Sequence, residues 1–191
     1  MRMPHVEIET FIQQKSNWIN RTREKAKSIQ PAIGKTYVDG EKFLFLGSLF
    51  DLKLVGFQKP ALNFDNSFTL NHAAQGKGEQ AFTRWYKERA FEIMTGRVRQ
   101  YSQQYNFTPR QVKISSAKTR WGSCSSDGTL NFTWRLVMAP LDVIDYVVVH
   151  ELAHLSVKDH SSKFWKVVES ICPEYKKHRK WLRENGGKLN L

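Results

Sequence analysis

The sequence predicts an α+β protein with one main core, and three observations carry that reading. Helical periodicity and strand alternation occupy separate stretches instead of succeeding one another as β-α units. The 191 residues, 40% of them hydrophobic and 6 of them Trp, can bury a sizeable core without disulfides. Residues Val143 to Val149 are apolar nearly all round, as in a helix sunk into that core.

Taken in order, Ile8, Phe11, Ile12, Trp18, Ile19, Ala26 and Ile29 recur at helical intervals, so an amphipathic helix is expected from about Val6 to Ile29, stopped by Pro31 and Gly34. From Tyr37 to about Leu70 short apolar runs broken by Asp39-Gly40 and Gly47 predict an antiparallel β-meander. The small, polar stretch Asn71 to Gly78 reads as a linker. It divides the chain into an N-terminal helix and meander segment, 1–76, and a main domain, 77–191. A long helix follows from Glu79 to about Tyr105, burying Phe82, Tyr86, Ile93, Val98, Tyr101 and Tyr105 and carrying Arg84 to Arg99 on its other side. Val112 and Ile114 mark a strand. Leu130, Phe132 and Trp134 mark the second arm of a hairpin with one buried face, its turn at Asp127-Gly128. Pro140 and Asp142 suit the start of a helix at about Leu141. Ser161 or Ser162 can cap another, and Pro173 opens a last basic helix that stops at Gly186-Gly187.

Composition sets limits on function. Lys and Arg total 30 against 18 Asp and Glu, a formal charge of +12, which attracts polyanions without naming one. Two cysteines, Cys124 and Cys172, make no disulfide framework and no C-x-x-C pair, in keeping with a reducing compartment. No run approaches the roughly 18 apolar residues of a membrane span, and no signal-peptide pattern opens the chain. A cytoplasmic protein is expected.

The chemistry concentrates in His150-Glu151-Leu152-Ala153-His154. On a helix His150 and His154 lie one above the other and can share a metal, while Glu151 projects about 100° round, beside the ion, where it can work on water. H-E-x-x-H is the zinc hydrolase signature. A catalytic zinc takes a third protein ligand. His160 qualifies if the helix ends after His154 and the chain turns back, since in an unbroken helix it would point about 240° away and about 9 Å along. The glycine that extended forms of the motif place in that turn is Val157 here. Glu169, or with less reason Glu174, is the alternative ligand. Arg120, Tyr146 and His178 are candidates to steady a developing oxyanion or contact substrate.

A longer series of residues resembles the YgjP-like metallopeptidase family of bacteria. It comprises Lys118 to Ser125, Leu130 to Leu136, Ala139-Pro140, Asp145 to His154, His160-Ser161 and Phe164-Trp165. The match is dense from about Lys113 to Gly186 and looser from about Glu7 to Phe57. It implies a zincin-like fold with a small antiparallel sheet beside the metal-site helix, Zn²⁺ held by His150, His154 and His160, and Glu151 as catalytic base. It also places the hairpin from Trp121 to Trp134 near the cleft, where an edge strand can line up an extended peptide. Relatives of this kind begin with further N-terminal strands, so the N-terminal sheet is expected to be incomplete. The function expected is a zinc-dependent hydrolase cutting peptide bonds. Two rivals follow from the basic charge: metal-dependent hydrolysis of a nucleoside triphosphate, and a nucleic-acid-associated protease or binding module using Arg84 to Arg99 and Lys176 to Arg183.

Overall fold

The computed structural model describes residues 7–16, 20 and 34–191, which fall in two compact units, Met1–Lys35 and Thr36–Leu191. In the first unit residues 7–16 (α1) and 20 are helical; the remainder of the helix expected to reach Ile29 lies outside the described residues.

The second unit opens with a four-stranded sheet of β1 (Lys42–Phe45), β2 (Ser48–Val55), β3 (Leu62–Phe64) and β4 (Phe68–Asn71), in the order β1-β2-β4-β3. Leu46 and Gly47, with φ of 47° and 81°, form the two-residue turn between β1 and β2, since that tight turn needs positive φ at both positions. The expected antiparallel meander needs correction, because β2 and β4 run parallel, Leu52 opposite Phe68 and Leu54 opposite Leu70. The chain leaving β2 crosses over instead of reversing. The Gln58 side chain holds that crossing by donating to the carbonyls of Ala61 (3.0 Å) and Thr69 (2.6 Å).

Asn71 to Gly78 is a 3-10 turn over His72–Lys77, capped by the Asn71 side chain on Ala73 N, and it runs directly into α2 (Gly78–Tyr105). Helix α2 buries Phe82, Tyr86, Ala90, Met94 and Val98, one stripe at four-residue spacing. Phe43 of β1 stacks on Phe82 at 4.0 Å between centroids, and Phe68 of β4 lies 5.0 Å from it. Sheet and helix thus share one aromatic core, and the boundary expected at 76/77 falls inside the second unit. Asn106, with φ of 56°, ends α2 in the left-handed conformation that asparagine tolerates.

The second sheet consists of β5 (Gln111–Ser115), β6 (Gly122–Cys124) and β7 (Thr129–Thr133), in the order β5-β7-β6. The hairpin β6-β7 is antiparallel as expected, but β5 adds parallel to β7, so the sheet is mixed. As the central strand, β7 is covered on both faces: Leu130 and Phe132 are fully buried, and Thr133, on the side expected to be open, is buried too, as is Thr129. The Thr133 hydroxyl is satisfied there by donating to Ala117 O at 2.8 Å.

Helix α3 (Leu141–Ser156) crosses this assembly, with α4 (Ser162–Ile171) and α5 (Tyr175–Asn185) packed beside it. Ile144, Val148 and Leu152 are fully buried, each contributing about 1.5–3 kcal/mol by leaving water. A two-pronged ion pair between Arg97 and Asp145, both mostly covered, pins α2 to α3. At its start the turn Leu46-Gly47 lies on Pro140, with Leu46 N and Gly47 N donating to Val137 O and Met138 O at 3.0 Å each. A rigid helix is thereby set in place before its functional residues are reached.

Candidate metal centre

Helix α3 places His150 and His154 one turn apart, ring centroids 5.1 Å from each other. After Ser156 the backbone goes extended at Val157 (φ −136°, ψ 112°), whose N–H still donates to Ala153 O. This is how the chain turns back without the glycine: the break uses the extended region, which β-branched valine favours, and requires no positive φ. His160 then returns to within 5.0 Å of His150 and 4.7 Å of His154 between centroids. The Asp159 carboxylate accepts from Ser161 N at 3.1 Å where α4 begins, and Ser161 occupies the cap position without a side-chain cap of its own. From α4, Phe164 stacks on His154 at 4.5 Å and meets His150 edge-on, giving the cluster an apolar backing.

One potential ligand atom from each of the three histidines lies within 4.8 Å of the others, the one such group of His, Cys, Asp or Glu among the described residues. His154 Nδ1–H donates to the Val157 carbonyl at 3.0 Å, which leaves its Nε2 lone pair free. His150 Nε2 and His160 Nε2 are 3.0 Å apart, close to the roughly 3.3 Å between nitrogens that share a tetrahedral ion at about 2.0–2.1 Å. Burial pushes His150 down to about 3, helped by the neighbouring His154, His160 and Arg179 charges, and burial also lowers His154. Both are therefore neutral imidazoles at ordinary pH, as a metal ligand must be. His150 Nδ1 is buried and makes no hydrogen bond among the described residues. Three convergent imidazoles held neutral fit a first-row transition ion.

Glu151 is 4% exposed and points towards β6. Burial alone pushes its carboxyl up to about 8. A cation among the histidines opposes that shift, because opposite charge favours the carboxylate. It packs against Gly122, where a Cβ would stand 2.6 Å from Glu151 Oε1 and 2.7 Å from its Cγ. A side chain at position 122 would force Glu151 to shift.

The other residues singled out from sequence fall in different places. Tyr146 shares a cavity of about 290 Å³ with His150, Trp121, Arg179 and Arg183, and burial pushes its hydroxyl up to about 12, so it stays a proton donor. His178 is buried behind it, stacked on the Tyr146 ring at 6.4 Å with Nδ1 3.6 Å from an Asp142 oxygen. Arg120 lines a separate cavity with Ser123 and Asn131. Glu169 is exposed and faces Lys176 at 3.6 Å, outside the histidine cluster, and Glu174 pairs with Lys177. On α2, Arg97 is engaged by Asp145 and Arg89 by Glu92.

Sequence reasoning missed Gly122, the Val157 carbonyl and Arg179. A glycine inside a strand signals close backbone approach and was the one available clue to the first; the other two depend on the fold bringing distant segments together.

A model of the YgjP-like metallopeptidase domain matches residues 1–185. The chain belongs to that family. It is accordingly a metal-dependent peptidase, and the three-histidine cluster is a group in it that could bind the ion. Among solved structures the chain is similar to the metallopeptidase zymogen abylysin of Pyrococcus abyssi, with 23% identity over 48% of this chain and 93% of that one and a TM-score of 0.43. No curated protein matches it.

Proposed function

We propose that this protein is a cytoplasmic zinc-dependent metallopeptidase in which His150, His154 and His160 hold the ion and Glu151 is the general base. The observation that carries this reading is the convergence of three neutral-capable imidazoles beside one buried carboxylate. Zinc bound there supplies Lewis acidity, bringing the pKa of water from 15.7 towards about 7 and polarising a peptide carbonyl. The chain's own residues do the remainder. Glu151, held by Gly122 in a dry position, takes the proton of the attacking water and delivers it to the departing amide nitrogen. Tyr146, protonated throughout the working range and on the same cavity as His150, donates to the carbonyl oxygen as it gains charge. His178 steadies the Tyr146 ring from behind. The short edge strand β6 offers its free side to an extended peptide next to Glu151.

Glu151→Gln tests the assignment. The variant should keep its metal and lose about 10²–10⁴-fold in turnover of an unstructured peptide, the range of general-base catalysis. Undiminished turnover would remove Glu151 from the mechanism. Turnover of nucleoside triphosphates in place of peptides would replace the substrate class.

A further inference from the structure

Beyond His150 and Tyr146, the cavity they share is lined by residues that the peptidase chemistry does not use. Val147 and Leu182 line it with apolar side chains, and Trp121 and Tyr146 line it with aromatic ones. Arg179 and Arg183 also line it, four residues apart on α5 and so on one face of that helix. No carboxylate lines it, and neither arginine makes an ion pair among the described residues. Arg179 is nevertheless held in place, its guanidinium carbon 5.1 Å from the Trp165 ring centroid, on a tryptophan that itself stacks on His160. A guanidinium beside an aromatic ring and without a carboxylate partner keeps N–H donors for a planar two-oxygen acceptor. Trp121 in turn is fixed by Gly186, where a Cβ would meet its ring at 2.6 Å. At about 290 Å³ the space suits one amino-acid residue, not a bulky ligand.

We propose that this cavity is a substrate-specificity pocket that takes a carboxylate, with Arg179 and Arg183 as its binding groups and Trp121 and Leu182 packing the aliphatic stem that carries it. The pocket opens on His150, so the carboxylate belongs to the residue flanking the scissile bond. Two sources present that chemistry: the side chain of a glutamate or aspartate within a peptide, and the terminal carboxylate of a peptide's last residue. The inference rests on the metallopeptidase reading for its meaning, since the pocket selects what reaches the metal centre. The arginines do not act on the reacting atoms. They are substrate-binding residues.

Binding and turnover separate the two ideas. Metal-loaded Glu151→Gln protein is titrated calorimetrically with acetylated, amidated pentapeptides carrying Glu, Gln or Lys at one position, and with the Gln peptide bearing a free C-terminal acid. A charge-assisted pair predicts binding about 10- to 100-fold tighter for the peptide with a carboxylate in the right source than for its neutral partner. The Glu peptide gaining identifies an internal acidic residue, and the free acid gaining identifies the chain end. Arg179→Gln and Arg183→Gln should each erode that preference, and Arg179→Glu with Arg183→Glu should turn it towards Lys. Both arginines are exposed, so these variants keep the fold. Equal binding of Glu, Gln and Lys peptides and of acid and amide, or a preference that survives loss of both arginines, overturns the pocket. The same peptides are given to the unsubstituted enzyme. Cleavage without carboxylate preference leaves the peptidase and removes the pocket. Arginine-dependent binding with no peptide cleaved keeps the pocket and removes the peptidase.

Discussion

Replacing Gly122 with alanine adds a single carbon at the point where β6 faces Glu151, the proposed general base. That Cβ would lie 2.6, 2.7 and 2.9 Å from Oε1, Cγ and Cδ of Glu151, whereas carbon atoms rest at about 3.5–4.0 Å, so the Glu151 side chain must retreat by about 0.8 Å. It has little room, being 4% exposed. Gly122 does not have positive φ, so alanine introduces no backbone strain and the effect is one of crowding. A displacement near 1 Å costs about 10²-fold in rate, and overpacking costs about 1–3 kcal/mol in stability. His150, His154 and His160 are not among the atoms this Cβ would meet and should be untouched. Gly122→Ala should therefore retain full metal by elemental analysis, melt a few degrees lower, and hydrolyse an unstructured peptide about 10- to 100-fold more slowly. A folded variant with undiminished turnover would refute the claim that Glu151 must occupy this position.

Two further perturbations probe the surroundings. Val157→Gly, which restores the residue found in extended versions of the motif, should weaken metal affinity and stability by about 1 kcal/mol, because the turn needs extended backbone and glycine frees the chain that carries the His154 acceptor; competition with a zinc-sensitive dye measures it. Cys172 is followed in a Cys124→Ser background: burial, with the Asp145, Asp142 and Glu174 charges, pushes its thiol up to about 11 from the ordinary 9.0. Since the thiolate is the nucleophile and its fraction rises with pH, alkylation at pH 8 should be about 100-fold slower than for an unperturbed thiol and should climb until about pH 11.

How much of this was legible in the sequence depends on the range of the interactions involved. His150, Glu151 and His154 are related by helix periodicity alone, and α3 begins at Leu141 as the Pro140 and Asp142 signals require. The return of His160 was legible as a requirement but not as a geometry, because an extended break at a valine has no motif. The sheet topology was less accessible. Alternation locates β2 and β4 but does not say that they pair in parallel across a crossing held by the Gln58 side chain. It also takes Thr133 for part of an open face, although it lies buried on a central strand and its hydroxyl finds a carbonyl partner. The joining of the first sheet to α2 follows from aromatic contacts between residues some forty positions apart, such as Phe43 with Phe82, which a polar stretch at 71–78 conceals. Glycine at 122 and arginine at 179 acquire meaning only from what the fold sets against them.

The central claim is that three histidines on α3 and the turn after it form one zinc site. Elemental analysis of the purified protein with its His154→Ala and His160→Ala variants tests this most directly. One zinc per chain in the parent, near-complete loss in His154→Ala, and clearly weakened binding in a still-folded His160→Ala are the predicted results. A full complement of zinc in both variants would contradict the account.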